Sequence, residues 1–160
     1  MRIKQTEVFQ FGELSDRAKD RARNWWREVS AGDCSWGAES LDSIKKFCEE
    51  FGVKLKYYSV NPYSCPEYET NAENSNFRGR KLREFSRDAM PTGYYLDCDL
   101  YQTFFDEFKR AGDAKRAFDK ALWAGFIAWR NDMASENEDE YIDDCLIANE
   151  YEFDSEGNRA

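Results

Sequence analysis

The chain has 160 residues, of which 34% are charged and 16% aromatic, and its formal net charge is −9. Its length allows one domain with a buried core, and its aromatic content excludes a mostly disordered protein. No apolar run approaches the ~20 residues of a membrane helix, and residues 1–11 lack the apolar stretch of a signal peptide, so we expect a cytoplasmic protein with no membrane partner.

The first half of the chain is predicted to contain two helices, each next to a strand. Residues 3–11 have strand character, and Ser15 offers the N-cap hydroxyl of a helix over residues 16–30. The apolar spacing then predicts a second helix over residues 38–51. Residues 53–60 alternate and are rich in β-formers, which is typical of a strand.

The second half is predicted to be mostly helical after a loop at residues 61–76. Residues 94–100 fit either a strand or the entry to a helix. Helical spacing of apolar residues predicts helices over 101–111, 114–133 and 140–148. A short β-rich run predicts a strand over 151–153. The expected architecture is α+β, with four or five helices packed on a small, mainly antiparallel sheet. We expect a single domain, 1–160, with an acidic C-terminal segment, 131–158.

Large apolar residues that repeat at helical spacing are expected to form the core. They are Trp25, Trp26, Phe47, Phe51, Phe118, Leu122 and Trp129. Asn149 is expected to end the last helix in the left-handed conformation.

The sequence offers no recognisable catalytic or metal-binding motif. It has no histidine, so the usual general base and the commonest metal ligand are missing. The five cysteines show no CxxC spacing, and no phosphate-binding glycine loop or nucleophile elbow is present. We therefore expect no catalytic residue, no metal and no cofactor, while carboxylate or cysteine chemistry stays open as an alternative.

The negative charge is concentrated at the C-terminal end. Residues 131–158 contain eleven acids and no lysine or arginine, while the rest of the chain carries 23 basic and 21 acidic residues. Such a one-signed field repels nucleic acid and attracts basic surfaces. The predicted partner-facing carboxylates are Glu136, Glu138, Asp139, Glu140, Asp143, Asp144, Glu150, Glu152, Asp154 and Glu156. Of these, Glu136, Glu140, Asp143 and Asp144 are expected to share one helical face.

Two basic groups could compete for these carboxylates or bind phosphate. Arg78, Arg80, Lys81, Arg83 and Arg87 lie within ten residues. This group could contact nucleic acid, or it could pair with the acidic segment of its own chain. A second group, on the first predicted helix, has acids interleaved with its arginines and lysine and is expected to form ordinary local pairs.

Three segments resemble a group of small phage and prophage accessory proteins. They are VFQFGELSDRAKDRARNWWRE, GVKLKYYSVNPYS with a later NFRG, and DDCLIANEYEFDSEGNR. The middle segment departs most, because Pro62, Cys65 and Pro66 stand where the group has a Gly- and Trp-rich loop. Members are largely uncharacterised, some being described as antitoxin-like, so the resemblance carries over no site residue. It implies a phage accessory gene whose product acts in the host cytoplasm.

The charge pattern and the resemblance together favour a non-catalytic inhibitor of a host defence system, of the anti-CRISPR or antirestriction type. Its acidic face would occupy a basic, nucleic-acid-binding surface of a host protein or nucleoprotein complex, so the expected partner is not nucleic acid itself. The alternative is an antitoxin-like or regulatory phage protein that binds a protein without mimicking nucleic acid. The bland interpretation is that the acids only keep the protein soluble or pair within the chain.

Overall fold

The computed structural model describes residues 7–31, 37–72, 77 and 86–160. In chain order the elements are β1 (Phe9–Gln10), α1 (Asp16–Ala31), α2 (Ala38–Glu50), β2 (Leu55–Ser59), β3 (Glu67–Thr70), α3 (Leu96–Ala111), α4 (Ala114–Ser135), α5 (Asp139–Ala148) and β4 (Glu152–Phe153). The fold is α+β, as predicted. In the described residues the strands form two antiparallel two-stranded sheets, where the sequence predicted one sheet.

The chain divides into two compact units, and each has its own core. Unit 1 is built from both ends of the chain, residues 1–34 and 135–160, and unit 2 from residues 35–134. The buried apolar side chains of the described residues form two clusters, one in each unit.

Unit 1 packs α1 and α5 beside the β1–β4 pair. β1 and β4 are antiparallel, with Phe9 opposite Phe153. Each helix turns small or branched apolar residues, spaced one turn apart, toward the same cluster. The core residues are Phe11, Leu14, Ala18, Ala22, Ile142, Leu146 and Phe153. The Ser15 hydroxyl accepts the Ala18 N–H at 3.4 Å, as predicted for the N-cap of α1.

A glycine closes unit 1 after β4. Gly157 is buried at φ +86°, and a Cβ atom there would lie 2.1 Å from the carbonyl oxygen of Ala18. Only glycine can hold that conformation so close to the backbone of α1. The turn therefore fixes the C-terminal strand against the first helix.

Unit 2 packs α2, α3 and α4 with the β2–β3 hairpin. Its core is largely aromatic, and the rings of Phe47 and Phe118 stack with centroids 5.4 Å apart. In the middle of α4, a Cβ on Gly125 would lie 2.5 Å from Cδ2 of Leu100, which is fully buried. The absence of a side chain at Gly125 therefore lets α3 approach α4 closely.

The helix predictions were accurate to within a few residues. The predicted helices over 16–30, 38–51, 114–133 and 140–148 correspond to α1, α2, α4 and α5. Residues 94–100, which fitted either a strand or a helix entry, lead into α3, and the predicted helix over 101–111 is the rest of it.

The strand predictions were less accurate. β3 lies inside the predicted loop at 61–76, and all four residues of Glu67–Thr70 pair with β2 although few of them are apolar. The predicted strand over 3–11 falls partly outside the described residues. Within its described part, β1 covers Phe9–Gln10. Asn149 does not take the left-handed conformation; Glu150 does, with φ 52°.

Four of the seven predicted core residues are buried and three are half-buried. Phe47, Phe118 and Leu122 are at most 1% exposed, and Trp129 is 6% exposed. Trp25, Trp26 and Phe51 are only partly covered and lie at the edges of their clusters. Helical spacing identified the correct face in each case but not how far the neighbouring elements cover it.

Within the described parts of the chain, no helix combines the length and the apolar character needed to cross a membrane.

Candidate partner-binding surface

The predicted acidic surface lies entirely in unit 1, around α5. Glu138 is the N-cap residue of α5, and Asp139 and Glu140 form its first turn. Carboxylates at this position are favoured because the N-terminus of a helix carries a partial positive charge. Glu136 precedes the helix, so the prediction that it shares a helical face with Glu140, Asp143 and Asp144 was wrong.

Arginines of α1 bind three of the predicted carboxylates. Arg23 donates from Nε and Nη2 to the two carboxylate oxygens of Asp143, both at 2.7 Å. Arg27 donates to Asp139 at 2.5 Å, and Arg21 to Glu156 at 2.6 Å. These carboxylates hold the two ends of the chain together and are not free for a partner.

Arg23 is the centre of this network. Its side chain is 17% exposed and also reaches Asp20 at 2.9 Å and Asp139 at 3.7 Å. The hydrogen bond to Asp143 is the main reason that its pKa is raised above the ordinary arginine value. A bidentate arginine–carboxylate pair of this kind is stronger and has a more specific geometry than a single hydrogen bond.

Asp154 is used by the turn after β4. It accepts hydrogen bonds from the side chain and backbone of Asn158 and from the backbone N–H of Glu156, all at 2.9 Å. These bonds, chiefly that from the Asn158 side chain, lower the pKa of Asp154. This carboxylate therefore stabilises the turn.

Five predicted carboxylates remain exposed and form no ion pair within the described residues. They are Glu138, Glu140, Asp144, Glu150 and Glu152. We call this set the free acidic set. Glu140 and Asp144 are one helical turn apart on α5, Glu138 precedes that helix, and the other two follow it.

Repulsion within the free acidic set destabilises α5. Like charges four residues apart destabilise a helix by about 0.2–0.5 kcal/mol. For Asp139 and Asp143, the arginines of α1 compensate this repulsion. For Glu140 and Asp144, no cation of the described chain does so. The uncompensated charge is therefore available to a basic partner.

An exposed apolar side chain lies among these acids. Ile147 is 56% exposed and follows Glu140 and Asp144 at the spacing that keeps all three on one side of α5. The opposite side of the helix buries Ile142 and Leu146. The outward side thus combines charge with an apolar contact point, as protein-binding surfaces commonly do.

The sequence identified the acids but not the cations that bind some of them. The basic group on α1 was expected to form local pairs, and among the described residues only Arg23–Asp20 is one. Arg23 and Arg27 are four residues apart, as are Asp139 and Asp143, and this matched spacing was the available signal.

Of the other basic group, Arg87 is the member that lies in the described residues, and its ion pairs are not with the acidic segment. Arg87 binds Asp106, with Nε–Oδ1 3.0 Å, and also approaches Asp88. Arg78, Arg80, Lys81 and Arg83 lie outside the described residues. Their predicted roles stay predictions.

Among the described residues, no three acidic or cysteine side chains converge in a way that could hold a metal ion. No protein family matches the chain, and no curated protein or solved structure shows significant similarity to it. The argument about function therefore rests on the residues themselves.

Proposed function

We propose that this protein is a non-catalytic inhibitor that binds a basic, nucleic-acid-binding surface of a host defence complex, such as a CRISPR effector or a restriction enzyme. The free acidic set carries the proposal, because its five exposed carboxylates have no cation in the described chain. The resemblance to phage accessory proteins supports the choice of target class.

The spacing of the free acids suits such a surface. Carboxylates one helical turn apart, such as Glu140 and Asp144, lie roughly 5–6 Å apart at Cβ, comparable to phosphates along a nucleic-acid strand. Each exposed pair with a partner cation contributes only about 0–1 kcal/mol. Useful affinity therefore needs several such pairs together with apolar contacts, for which Ile147 is available.

A second candidate is an antitoxin-like or regulatory protein that binds its partner without mimicking nucleic acid. The exposure of Ile147 favours it, because an apolar contact does not depend on the partner's charge. The two candidates differ in salt dependence. Binding dominated by charge weakens steeply between about 50 and 200 mM salt, whereas binding dominated by apolar contact changes little.

The experiment compares two variants with the same change in charge. Glu138, Glu140, Asp144 and Glu150 are replaced by lysine in the first, and Glu39, Asp42, Glu49 and Glu67, exposed acids of unit 2, in the matched control. Each variant raises the formal net charge from −9 to −1. Binding of target DNA by purified CRISPR effectors and restriction enzymes is measured with each protein added, with circular dichroism to check the fold.

We expect the wild-type protein and the unit 2 variant to block DNA binding by one of these complexes, and the unit 1 variant to lose the block. Equal inhibition by both folded variants would reject the acidic surface. Inhibition that survives in the unit 1 variant but is lost on replacing Ile147 with aspartate would favour the second candidate.

A further inference from the structure

Three cationic side chains converge on one carboxylate where α3 ends and α4 begins. Glu107, in the last turns of α3, has a side chain only 8% exposed. Arg110 binds it from the same helix, with Nη2–Oε1 2.5 Å and Nε–Oε2 3.1 Å. Arg116 and Lys120 of α4 reach it at 3.1 and 3.2 Å.

This cluster has an excess of positive charge. Glu107 supplies one negative charge against three positive ones, and within the described residues none of the three cations has another ion pair. Arg116 contacts Glu107 through Nε at 3.1 Å, and a guanidinium group carries two further terminal nitrogens that can donate hydrogen bonds. The three cationic side chains are 49–60% exposed, so these donors are accessible to a ligand.

Glu107 also holds the cations in place. Long basic side chains lose considerable conformational freedom when they bind a ligand, which weakens binding. Here the contacts with an almost buried carboxylate restrict all three before any ligand arrives. The three cations therefore form a preorganised site, not three independent surface charges.

We propose that this cluster binds a phosphate group. A phosphate monoester carries about 1.5 to 2 negative charges near neutral pH, which is close to the local excess of two positive charges, whereas each phosphodiester of a nucleic-acid strand carries one. Its oxygens can each accept hydrogen bonds from a different donor, and guanidinium groups suit this geometry. The phosphate could be that of a small phosphorylated molecule or of a nucleic-acid strand.

The test uses pyrophosphate and a single-stranded DNA oligonucleotide as probes, with binding followed by NMR of the backbone amides and the arginine Nε–H groups. The site variant is Arg116→Gln with Lys120→Gln, which leaves Arg110 on Glu107. The matched control is Lys45→Gln with Lys46→Gln, two exposed lysines of α2. Both variants remove two positive charges, and circular dichroism checks their fold.

We expect saturable binding with a Kd on the order of 1 mM or tighter, weakened about tenfold in the site variant and unchanged in the control. Binding of pyrophosphate alone assigns a small phosphorylated ligand, and binding of the oligonucleotide with a steep salt dependence assigns a nucleic-acid strand. The proposal is overturned if neither probe saturates, or if both variants weaken binding equally.

Discussion

The cations around Glu107 keep it ionised although it is almost buried. The hydrogen bond from Arg110 is the largest influence, and together with that from Lys120 it outweighs burial, lowering the pKa of Glu107 from 4.5 to about 2. The folded state therefore favours the ionised carboxylate more than the unfolded chain does. By linkage, this preference stabilises the folded protein wherever the carboxylate is ionised in both states.

The Glu107→Gln variant should therefore lose stability in a pH-dependent way. Glu107 contributes its full stabilisation above its unfolded pKa of about 4.5, and the contribution falls as the pH drops toward 2. At about pH 6 to 7 we expect the melting temperature of the variant to be below that of the wild type. The two melting temperatures should converge as the pH falls toward 2. A difference that stays constant with pH would show that the carboxylate is not held in its ionised form.

A second buried carboxylate shows why single residues were hard to predict. Asp97, fully buried at the start of α3, accepts hydrogen bonds from the backbone N–H groups of Thr92 and Gly93 and from the Thr92 hydroxyl, all through Oδ2. It thereby fixes the turn that precedes the helix. Acidic residues are mostly exposed, so nothing in its local sequence marked Asp97 as buried.

At the scale of elements, α1 and α5 are joined by charge as well as by their apolar faces. Arg23 and Arg27 face Asp139 and Asp143, and both pairs are spaced by one helical turn. Below them, Ala22 and Ile142 are fully buried. Some carboxylates of the acidic segment therefore join the two helices. Among the described residues, the free acidic set remains for another role.

The Arg23–Asp143 pair should show a measurable coupling energy. Both side chains are less than one-third exposed and form two hydrogen bonds. In a double-mutant cycle with Arg23→Gln and Asp143→Asn, we expect about 1–2 kcal/mol from urea unfolding. The more exposed Arg21–Glu156 pair is the matched control, with about 0–1 kcal/mol. Equal coupling in the two cycles would mean that burial does not strengthen the Arg23 pair.

Periodicity predicted the helices because their signal is repeated over many residues. α4 carries an apolar stripe over more than three turns, and a misjudged residue does not hide such a pattern. β3 has four residues, two of them glutamates, and its pairing with β2 depends on contacts that are distant in sequence. The candidate surface was only partly predicted. Its acids form a run that the sequence shows directly, whereas the arginines of α1 that bind some of them lie more than a hundred residues away.

At the scale of the whole molecule, no feature of the sequence indicated two units. A linker rich in glycine, proline or serine commonly marks a domain boundary, but unit 1 is assembled from both ends of the chain, and one of its boundaries falls where α4 ends. The free acidic set belongs to unit 1 and the Glu107 cluster to unit 2. The two proposed binding surfaces can therefore be altered separately.

The separate cores predict that a core substitution acts mainly in its own unit. Phe153 is fully buried in the cluster of unit 1, and Trp129 is 6% exposed in that of unit 2. Replacing either with alanine should cost about 3–5 kcal/mol, because a large ring is removed from a packed site. Native-state hydrogen exchange reports where that stability is lost.

We expect Phe153→Ala to lower amide protection in α1 and α5 and to leave α3 protected, and Trp129→Ala to do the reverse. Each variant is the control for the other, because each deletes a large aromatic ring from a different cluster. Loss of protection in all helices of both variants would mean that the two cores unfold in one cooperative step. The chain would then behave as the single domain that its sequence predicted, despite its two clusters.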